Sequence, residues 1–509
     1  MSDAPGAGDT GLSLRSRLRA LVLDPRSHAV LLVLAAALVM LSRVGTGPLA
    51  NYDDAYYAEK AKQMLRTGDW LTPRFAGVER LDNPPLFLWL MASSFAVLGV
   101  TSYAAILWSA LAGVACVFMT HRLACELGRD TFEAWAAGFV LLGTGYFLKY
   151  ANHAMFDVFL TALFLGVLLA YRRAWRGSAA AWAAVGVLTG LGVLTKSVLG
   201  VFPLAVVALH TLWCGRTGPA LRAGAWLAPL AAAAVIAPWY GYQWATHHDA
   251  FIREHIAWLI VQRGLGTGHE AASPSSPLGY VTELAATYWP WLPLALAGLW
   301  LTAREAFGRN PAASAEFPGA RLLLLWPLVV VGVLSAAHEK KLWYVMSVFP
   351  VLALFSARGL GVWVKSEAAR ARVVLGGFTL VFAAGTLLTL TPIGSAPLRR
   401  PDLQMIARAA RALVPEGERV VLMGGNYFSV AHQFVFASDR LLVAGPDDAP
   451  AVRDSLAAGR WALLSRADYA RMAGADSLTY PAVVSCGKWR LVHVAPAPSV
   501  TLGTSSAFE

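Results

Sequence analysis

The sequence predicts an α-helical polytopic membrane protein of about 11 to 13 transmembrane helices, followed by a small C-terminal α/β domain. Three observations predict it. Of 509 residues, 57% are hydrophobic and 14% charged, with a mean hydropathy of +0.52, which is too apolar for a water-soluble chain of this length. Long Leu, Ala and Val runs alternate with short basic stretches, and 19 Trp suit a chain whose aromatic side chains sit at bilayer interfaces. From about residue 396 the pattern changes to amphipathic stretches such as DLQMIARAARAL and short β-rich runs such as RVVLM, RLLVA and WRLVHVA, punctuated by Pro and Gly.

Apolar runs lie near 28–46, 84–99, 103–120, 132–150, 156–171, 179–195, 198–213, 223–243, 284–301, 321–337, 342–357 and 372–392. The first follows a Gly-, Ser- and Arg-rich start and lacks a small-residue cleavage site, so it reads as an uncleaved span. Arg and Lys collect on the cytoplasmic side of a membrane protein. They cluster here at Arg15/Arg17/Arg19/Arg26, Arg122/Arg129, Arg172/Arg173/Arg176, Arg216/Arg222, Arg304/Arg309/Arg321 and Arg358/Lys365/Arg370/Arg372. All of these share one side only if the run at 84–99, which opens on Pro84-Pro85 and is short, lies at the interface or re-enters. Eleven crossings then remain, and the loops at 47–102, 151–156, 244–283 and 338–341 fall outside together with the C-terminus. This divides the chain into a membrane module over 1–395 and an extracytoplasmic α/β domain over 396–509.

The net charge of +11 is accounted for by these topology signals, so no nucleic-acid partner is implied. Four cysteines form neither a disulfide framework nor a CxxC metal pair. The chain contains no Walker A loop and no GxGxxG after a strand, which argues against a nucleotide-driven pump.

The outer loops hold the residues that hydropathy does not explain. Asp53 and Asp54 follow the first span and open a stretch of helical spacing, where either an N-cap role or a chemical one is open. Asp157, in YANHAMFDVFLTALF, lies one turn inside the bilayer edge, where an unmatched carboxylate costs about 2–3 kcal/mol. Lys196 sits at the outer turn between two spans, as a partner for an acid or a phosphate or as a snorkelling boundary residue. The long loop contributes His247, His248, His255, Arg263 and His269, without the i, i+4 spacing and helical Glu of a zincin. HEKKLWY places Lys340 and Lys341 at the depth of lipid phosphates. Carboxylates, cations and aromatics on one membrane face suit chemistry on a lipid-linked phosphate, because a carboxylate accepts a proton from an attacking hydroxyl while cations stabilise the leaving phosphate.

The stretch DDAYYAEKAKQMLRTGDWLTPRFAGVERLDNPPLFLWL resembles the opening motif of the polyprenyl-phosphate-sugar glycosyltransferases of the GT-C fold, the group that includes aminoarabinose lipid A transferases and protein O-mannosyltransferases. The likeness continues through GVLTKSVLGVFPLA, APWYGYQW and KKLWYVMSVFPVLAL. The resemblance implies that Asp53 is the catalytic carboxylate, with Asp54 beside it where the family has Glu, and that Asp157 is the acid of the second outer loop. It also implies phosphate-binding roles for Lys196, Arg263, Lys340, Lys341 and Arg74. A divalent metal, zinc or magnesium or manganese, is implied between Asp82 and His269. Asp82 stands where the family has Glu, Asn83 where it has Lys, and Lys196-Ser197 where it has Lys-Gly. The implied partners are a polyprenyl-phosphate-linked sugar donor, membrane lipids, and a lipid, glycan or protein acceptor, with inversion at the anomeric carbon. A transporter or flippase of lipid-linked sugars is the rival expectation, and it requires broken helices in two corresponding halves.

Overall fold

The protein is described from a computed structural model over residues 24–42, 44–45, 47–50, 52–215, 219–262, 276–308, 317–391, 401–423, 427–445, 460–473 and 482–493. Two compact units emerge from its contacts. One gathers 1–45, 68–73 and 80–394, and the other gathers 46–67, 74–79 and 395–509.

The first unit is helical. Helix α1 (Pro25–Leu41) starts where the Asp24 carboxylate accepts the Ser27 amide at 2.9 Å and Pro25 supplies a preset φ at the first turn. Within the second unit α2 (Asp53–Thr67) and the hairpin strands β1 (Arg74–Phe75) and β2 (Val78–Glu79) come next in the chain. Helix α3 (Leu86–Leu98) has 13 residues, about 20 Å, which is less than the hydrocarbon thickness of about 30 Å. Helix α4 (Ser102–Glu126) is capped by Thr101 and α5 (Thr131–Leu142) by Asp130. The run at 132–150, expected as one span, is two helices. The chain breaks at Gly143–Thr144, where the Trp291 indole donates to the Gly143 carbonyl at 3.3 Å, and resumes as α6 (Gly145–Ala151). It then turns by 107° into α7 (Phe156–Ala174).

Helices α8 (Ala179–Lys196) and α9 (Phe202–Trp213) are joined by a 3-10 turn at Ser197–Val201. Tyr171 touches Trp182 near the start of α8 and His210 near the end of α9, so this segment doubles back as a helical hairpin rather than running on as one rod. Helix α10 (Pro219–Phe251) continues into a π-helical stretch at Ile252–Gln262. Helices α11 (Gly279–Thr287), α12 (Leu292–Phe307), α13 (Gly319–Ala336), α14 (Phe349–Trp363) and α15 (Glu367–Leu390) complete the unit, with a 3-10 turn at Leu342–Val348 leading into α14. Several of these helices are long and apolar enough to cross a bilayer, and the protein is a polytopic helical membrane protein.

Arginines from distant parts of the sequence meet at one end of this bundle. Arg129 and Arg358 both bind Glu305, with Arg129 at 3.3 Å; Arg370 binds Asp130 at 3.0 Å; Arg172 donates to the Glu126 carbonyl at 3.2 Å; and Arg321 donates to the Ala306 carbonyl at 3.4 Å. Arg172 lies fifteen positions after Asp157 on α7, about 22 Å along the helix. Asp157 therefore marks the opposite end.

Helix pairs approach closely through small residues. A Cβ added at Gly298 on α12 would lie 1.7 Å from the Phe355 carbonyl oxygen on α14, and one at Gly359 on α14 would lie 2.2 Å from the Leu294 carbonyl oxygen. Two backbones in such contact gain packing that no larger residue permits.

In the second unit, residues from 401 onward form a five-stranded sheet in the order β4 (Leu441–Ala444), β3 (Arg419–Met423), β5 (Trp461–Ser465), β7 (Trp489–His493), β6 (Ala482–Cys486). The pairs β3/β4 and β3/β5 are parallel, and β5/β7 and β6/β7 antiparallel. Alternation sorts the strand residues. Val420 and Leu422 face α16 (Pro401–Leu413) and α17 (Ala431–Ser438), while Val421 and Met423 join Ala462, Leu464 and Val492 in a second buried cluster beside Tyr469 of α18 (Arg466–Ala473). Leu403, Ile406, Ala407 and Ala410 give α16 its apolar stripe.

Gly298→Val is expected to push α12 off α14 and lower stability by about 1–3 kcal/mol, read as a lower unfolding temperature of the detergent-purified protein. An unchanged unfolding temperature would show that the crossing is not this tight.

Candidate active site

Asp157 occupies the second position of α7, just after the 107° turn. It is buried, and the Lys196 ammonium binds its Oδ1 at 2.6 Å. Its Oδ2 is also buried and, among the described residues, receives no hydrogen bond. Lys196 is the last residue of α8, and its ammonium lies 4.9 Å from the centre of the Tyr344 ring. Thr161, Tyr344 and Ser347 share the small pocket on which Asp157 opens. The pair offers one carboxylate oxygen already matched by charge and a second available to a substrate hydrogen.

Lys196 points this way because of the residue after it. Ser197 has φ +46°, a region in which an L side chain is strained by about 1–3 kcal/mol. The Ser197 hydroxyl lies 3.0 Å from His255 Nε2, and the Tyr240 hydroxyl is also 3.0 Å from that nitrogen. His255 Nδ1 is 2.9 Å from the Leu81 carbonyl, which can only accept. The ring therefore carries its proton on Nδ1, and Nε2 accepts from the two hydroxyls. Glu254 accepts the Leu81 amide at 2.8 Å. Further along, Trp239 and Gln243 donate to the Leu71 carbonyl at 3.0 and 2.6 Å. Segments 68–73 and 80–82 of the opening loop are thus held by the long loop and the end of α10.

Lys340 and Lys341 lie just before the 3-10 turn. The Lys340 ammonium donates to the Ala337 carbonyl at 2.7 Å, and the Lys341 amide donates to the Tyr280 hydroxyl at 3.3 Å. Both line a cavity of about 400 Å³ whose other walls include Tyr146, Tyr150 and Trp343. Trp343 also borders the Asp157 pocket. Asp82 is half-buried in the turn that precedes α3. Arg263 and His269 lie outside the described residues. Among the described residues no three His, Cys, Asp or Glu side chains converge as a metal site, and no chemical step is assigned to a divalent ion.

Asp53 and Asp54 belong to the second unit. Both fall in the first turn of α2, where the helix dipole favours negative charge, and Asp54 is buried. Tyr52, immediately before them, has φ +71°. The helix is tied to residues from the far end of the chain. Lys62 binds Asp439 at 2.6 Å and the Phe436 carbonyl at 2.9 Å, Lys62 also pairs with Glu59, and Arg66 and Arg411 bind Asp439 at 3.0 and 3.1 Å. Burial raises the Asp439 pKa, but Lys62, Arg66 and Arg411 outweigh it and hold the carboxyl below its usual range. Burial pushes Glu59 up. Arg74 is ion-paired with Glu79 across the hairpin at 3.1 Å. The His432 ring packs against Tyr52, Tyr56 and Phe75, each 5.3 Å between ring centres. Burial, reinforced by the charge of Lys60, pushes its imidazole down to about 4.

Residues 28–249, a segment that contains Asp53, Asp54, Arg74, Asp82, Asp157 and Lys196, match the Dolichyl-phosphate-mannose-protein mannosyltransferase family. The chain is 29% identical over 390 residues to the undecaprenyl phosphate-alpha-4-amino-4-deoxy-L-arabinose arabinosyl transferase of Pseudomonas savastanoi pv. phaseolicola, covering 73% of this chain and 68% of that protein. A Pseudomonas fluorescens protein of the same description is 26% identical, with 70% of this chain and 62% of the relative covered. The chain is a glycosyltransferase of the GT-C fold. Two solved structures share that fold. ArnT from Cupriavidus metallidurans, solved bound to undecaprenyl phosphate, superposes with a TM-score of 0.71 at 19% identity over 92% of this chain and 99% of that one. The oligosaccharyltransferase of Archaeoglobus fulgidus, solved with Zn and sulfate, has a TM-score of 0.55 at 13% identity, covering 90% of this chain and 72% of that one.

In this glycosyltransferase the structure pairs Asp157 with Lys196 and groups Lys340 with Lys341. Sequence reasoning missed the joint work of Ser197, Tyr240 and His255. The signal was present in Lys196-Ser197 replacing Lys-Gly, because a position built for glycine demands a positive φ. His255 was one of several histidines in the long loop, and spacing alone did not single it out.

His432 makes stability depend on pH. Its folded pKa lies near 4 and an unfolded imidazole titrates near 6.5, so between these values the unfolded chain takes up a proton that the folded chain refuses. The contribution is complete above about pH 6.5 and is lost as pH falls towards 4. Thermal unfolding of wild type and His432→Phe across this window checks it. The pH dependence of the wild type should shrink in the variant, and identical profiles would remove His432 as the cause.

Proposed function

We propose that this glycosyltransferase moves a sugar from a polyprenyl-phosphate donor to a lipid, glycan or protein acceptor at the outer face of a bacterial inner membrane, with inversion at the anomeric carbon. The observation that supports it most is the Asp157–Lys196 pair, a buried carboxylate with one oxygen matched at 2.6 Å and the other free of hydrogen bonds among the described residues, in a chain related to enzymes that carry sugar on undecaprenyl phosphate. An acceptor oxygen attacks the anomeric carbon, the bond from that carbon to the phosphate oxygen breaks, and polyprenyl phosphate leaves. Asp53 takes the proton of the acceptor hydroxyl or orients it, Asp54 supports it, and Asp157 assists at the acceptor. Lys196, Arg263, Lys340, Lys341 and Arg74 are the cations assigned to phosphate, where they neutralise charge developing on the leaving group. Asp82 and His269 remain the pair assigned to a divalent ion, and no step runs through it.

The convergence of Arg129, Arg172, Arg321, Arg358 and Arg370 at the bundle end opposite Asp157 supports a cytoplasmic placement of that end. With eleven crossings, the catalytic loops and the α/β domain of 396–509 then fall on the periplasmic side. The transporter reading is not favoured, since the chain's relatives are sugar transferases.

Asp53→Asn should lower transfer by at least about 100-fold, the usual worth of a positioned proton acceptor, measured as labelled sugar moved from polyprenyl phosphate in reconstituted vesicles. Wild-type transfer by this variant removes Asp53 from the chemistry.

A further inference from the structure

Lys196 leaves α8 in a direction that the helix itself does not dictate. Its φ is −148°, against about −63° in an α-helix, and the difference carries its side chain to Asp157 and over the Tyr344 ring. The next residue enforces the change. Ser197 adopts φ +46° and ψ −125°, which ends α8, and its amide closes back onto the Val193 carbonyl. That conformation suits glycine, which has no Cβ to clash. Were Ser197 to relax towards helical angles, α8 would run on, Lys196 would take the helical φ, and its ammonium would turn away from Asp157. The chain beyond the turn leaves little room for other relief, since a Cβ at Gly200 would lie 2.1 Å from the Gly192 carbonyl carbon.

A contact from outside the turn opposes that relaxation. His255 is buried, stacked on Phe251 at 4.9 Å between ring centres and edge-on to Trp239 at 5.9 Å. Its Nδ1 donates to the Leu81 carbonyl at 2.9 Å, so the ring is fixed in place, and its Nε2 accepts the Ser197 hydroxyl at 3.0 Å. The hydroxyl reaches that nitrogen from the backbone conformation Ser197 now holds.

We infer that Ser197 and His255 are positioning residues for the transfer reaction: the imidazole holds Ser197 in a conformation built for glycine, and Ser197 thereby aims the Lys196 ammonium at Asp157. The inference rests on the transferase reading, in which Lys196 and Asp157 take part. A serine stands at this turn because its hydroxyl, which glycine lacks, is tied to a ring that cannot move. The two residues are one device, so His255 is needed for aim only while a side chain at 197 has to be held.

The full-length protein in nanodiscs is followed by two readouts: transfer of labelled sugar from polyprenyl phosphate, and the rate at which a small acylating reagent modifies Lys196, read by mass spectrometry. Ser197→Ala and Ser197→Gly both lose the hydroxyl, but only alanine keeps the Cβ. Ser197→Ala should transfer at least about tenfold more slowly than Ser197→Gly, a misplacement of about 1 Å being worth up to about 100-fold. Its Lys196, no longer held on Asp157, should also acylate faster. His255→Phe should show the same two changes in the wild-type background and neither in the Ser197→Gly background. With an active wild type, equal transfer by the alanine and glycine variants overturns the inference, and so does slower transfer without faster acylation. A loss in His255→Phe that Ser197→Gly fails to restore overturns it as well, because His255 then acts by another route. If His255→Phe alone does not fold, the comparison of alanine with glycine decides. Where the acylation pattern holds but the wild type forms no glycosylated product, the transferase reading fails and the positioning of Lys196 stands.

Discussion

A carboxylate buried in an apolar helical bundle has to be matched, and the Asp157–Lys196 pair is the match on which this end of the membrane unit depends. Removing one member of a buried pair commonly costs about 3–5 kcal/mol, because the other charge is left behind. The pair is also a geometric commitment. Lys196 reaches Asp157 from the last position of α8, so the direction of its side chain is set by the turn at Ser197, whose φ of +46° is strained for serine. That strain is offset by the bond to His255, and His255 is in turn held to the Leu81 carbonyl. A run of single hydrogen bonds therefore links the opening loop to the ammonium beside Asp157.

The second unit solves a similar problem with more charges. Helix α2 is short and carries Asp53 and Asp54 in its first turn, and alone it would be marginal in water. Lys62, Arg66 and Arg411 converge on Asp439, a residue that itself ends α17 in the left-handed conformation. The helix is thereby docked on residues from the end of the chain rather than on its neighbours in sequence. Segments 68–73 and 80–82 are fixed by α10 and the long loop. One loop of the sequence thus serves two compact units, and its acids and its metal-candidate turn belong to different ones.

Much of the architecture was legible because hydropathy and charge act over long windows. Four of the six basic clusters read as sharing a side, those of Arg129, Arg172, Arg321 and Arg358/Arg370, do meet at one end of the bundle, through Glu305, Asp130 and backbone carbonyls. The runs RVVLM and WRLVHVA contain strands, and DLQMIARAARAL lies on a helix whose stripe faces the sheet. The break at Gly143–Thr144 was not legible, since every residue across it is compatible with a continuous apolar helix. It takes an indole from α12's entry, Trp291, to hold the chain there.

What the sequence alone determined is what rests on transfer free energy and on local motif: a helical chain in a bilayer, the side on which its arginines gather, the acids that composition could not explain, and the resemblance of the opening loop. Tertiary structure decided which charges are partners. An ammonium 39 residues away in the chain from Asp157 becomes its neighbour because two helices pack and a turn reverses. A residue's pairing depends on distances of a few ångströms, and the order of residues along the chain does not encode them.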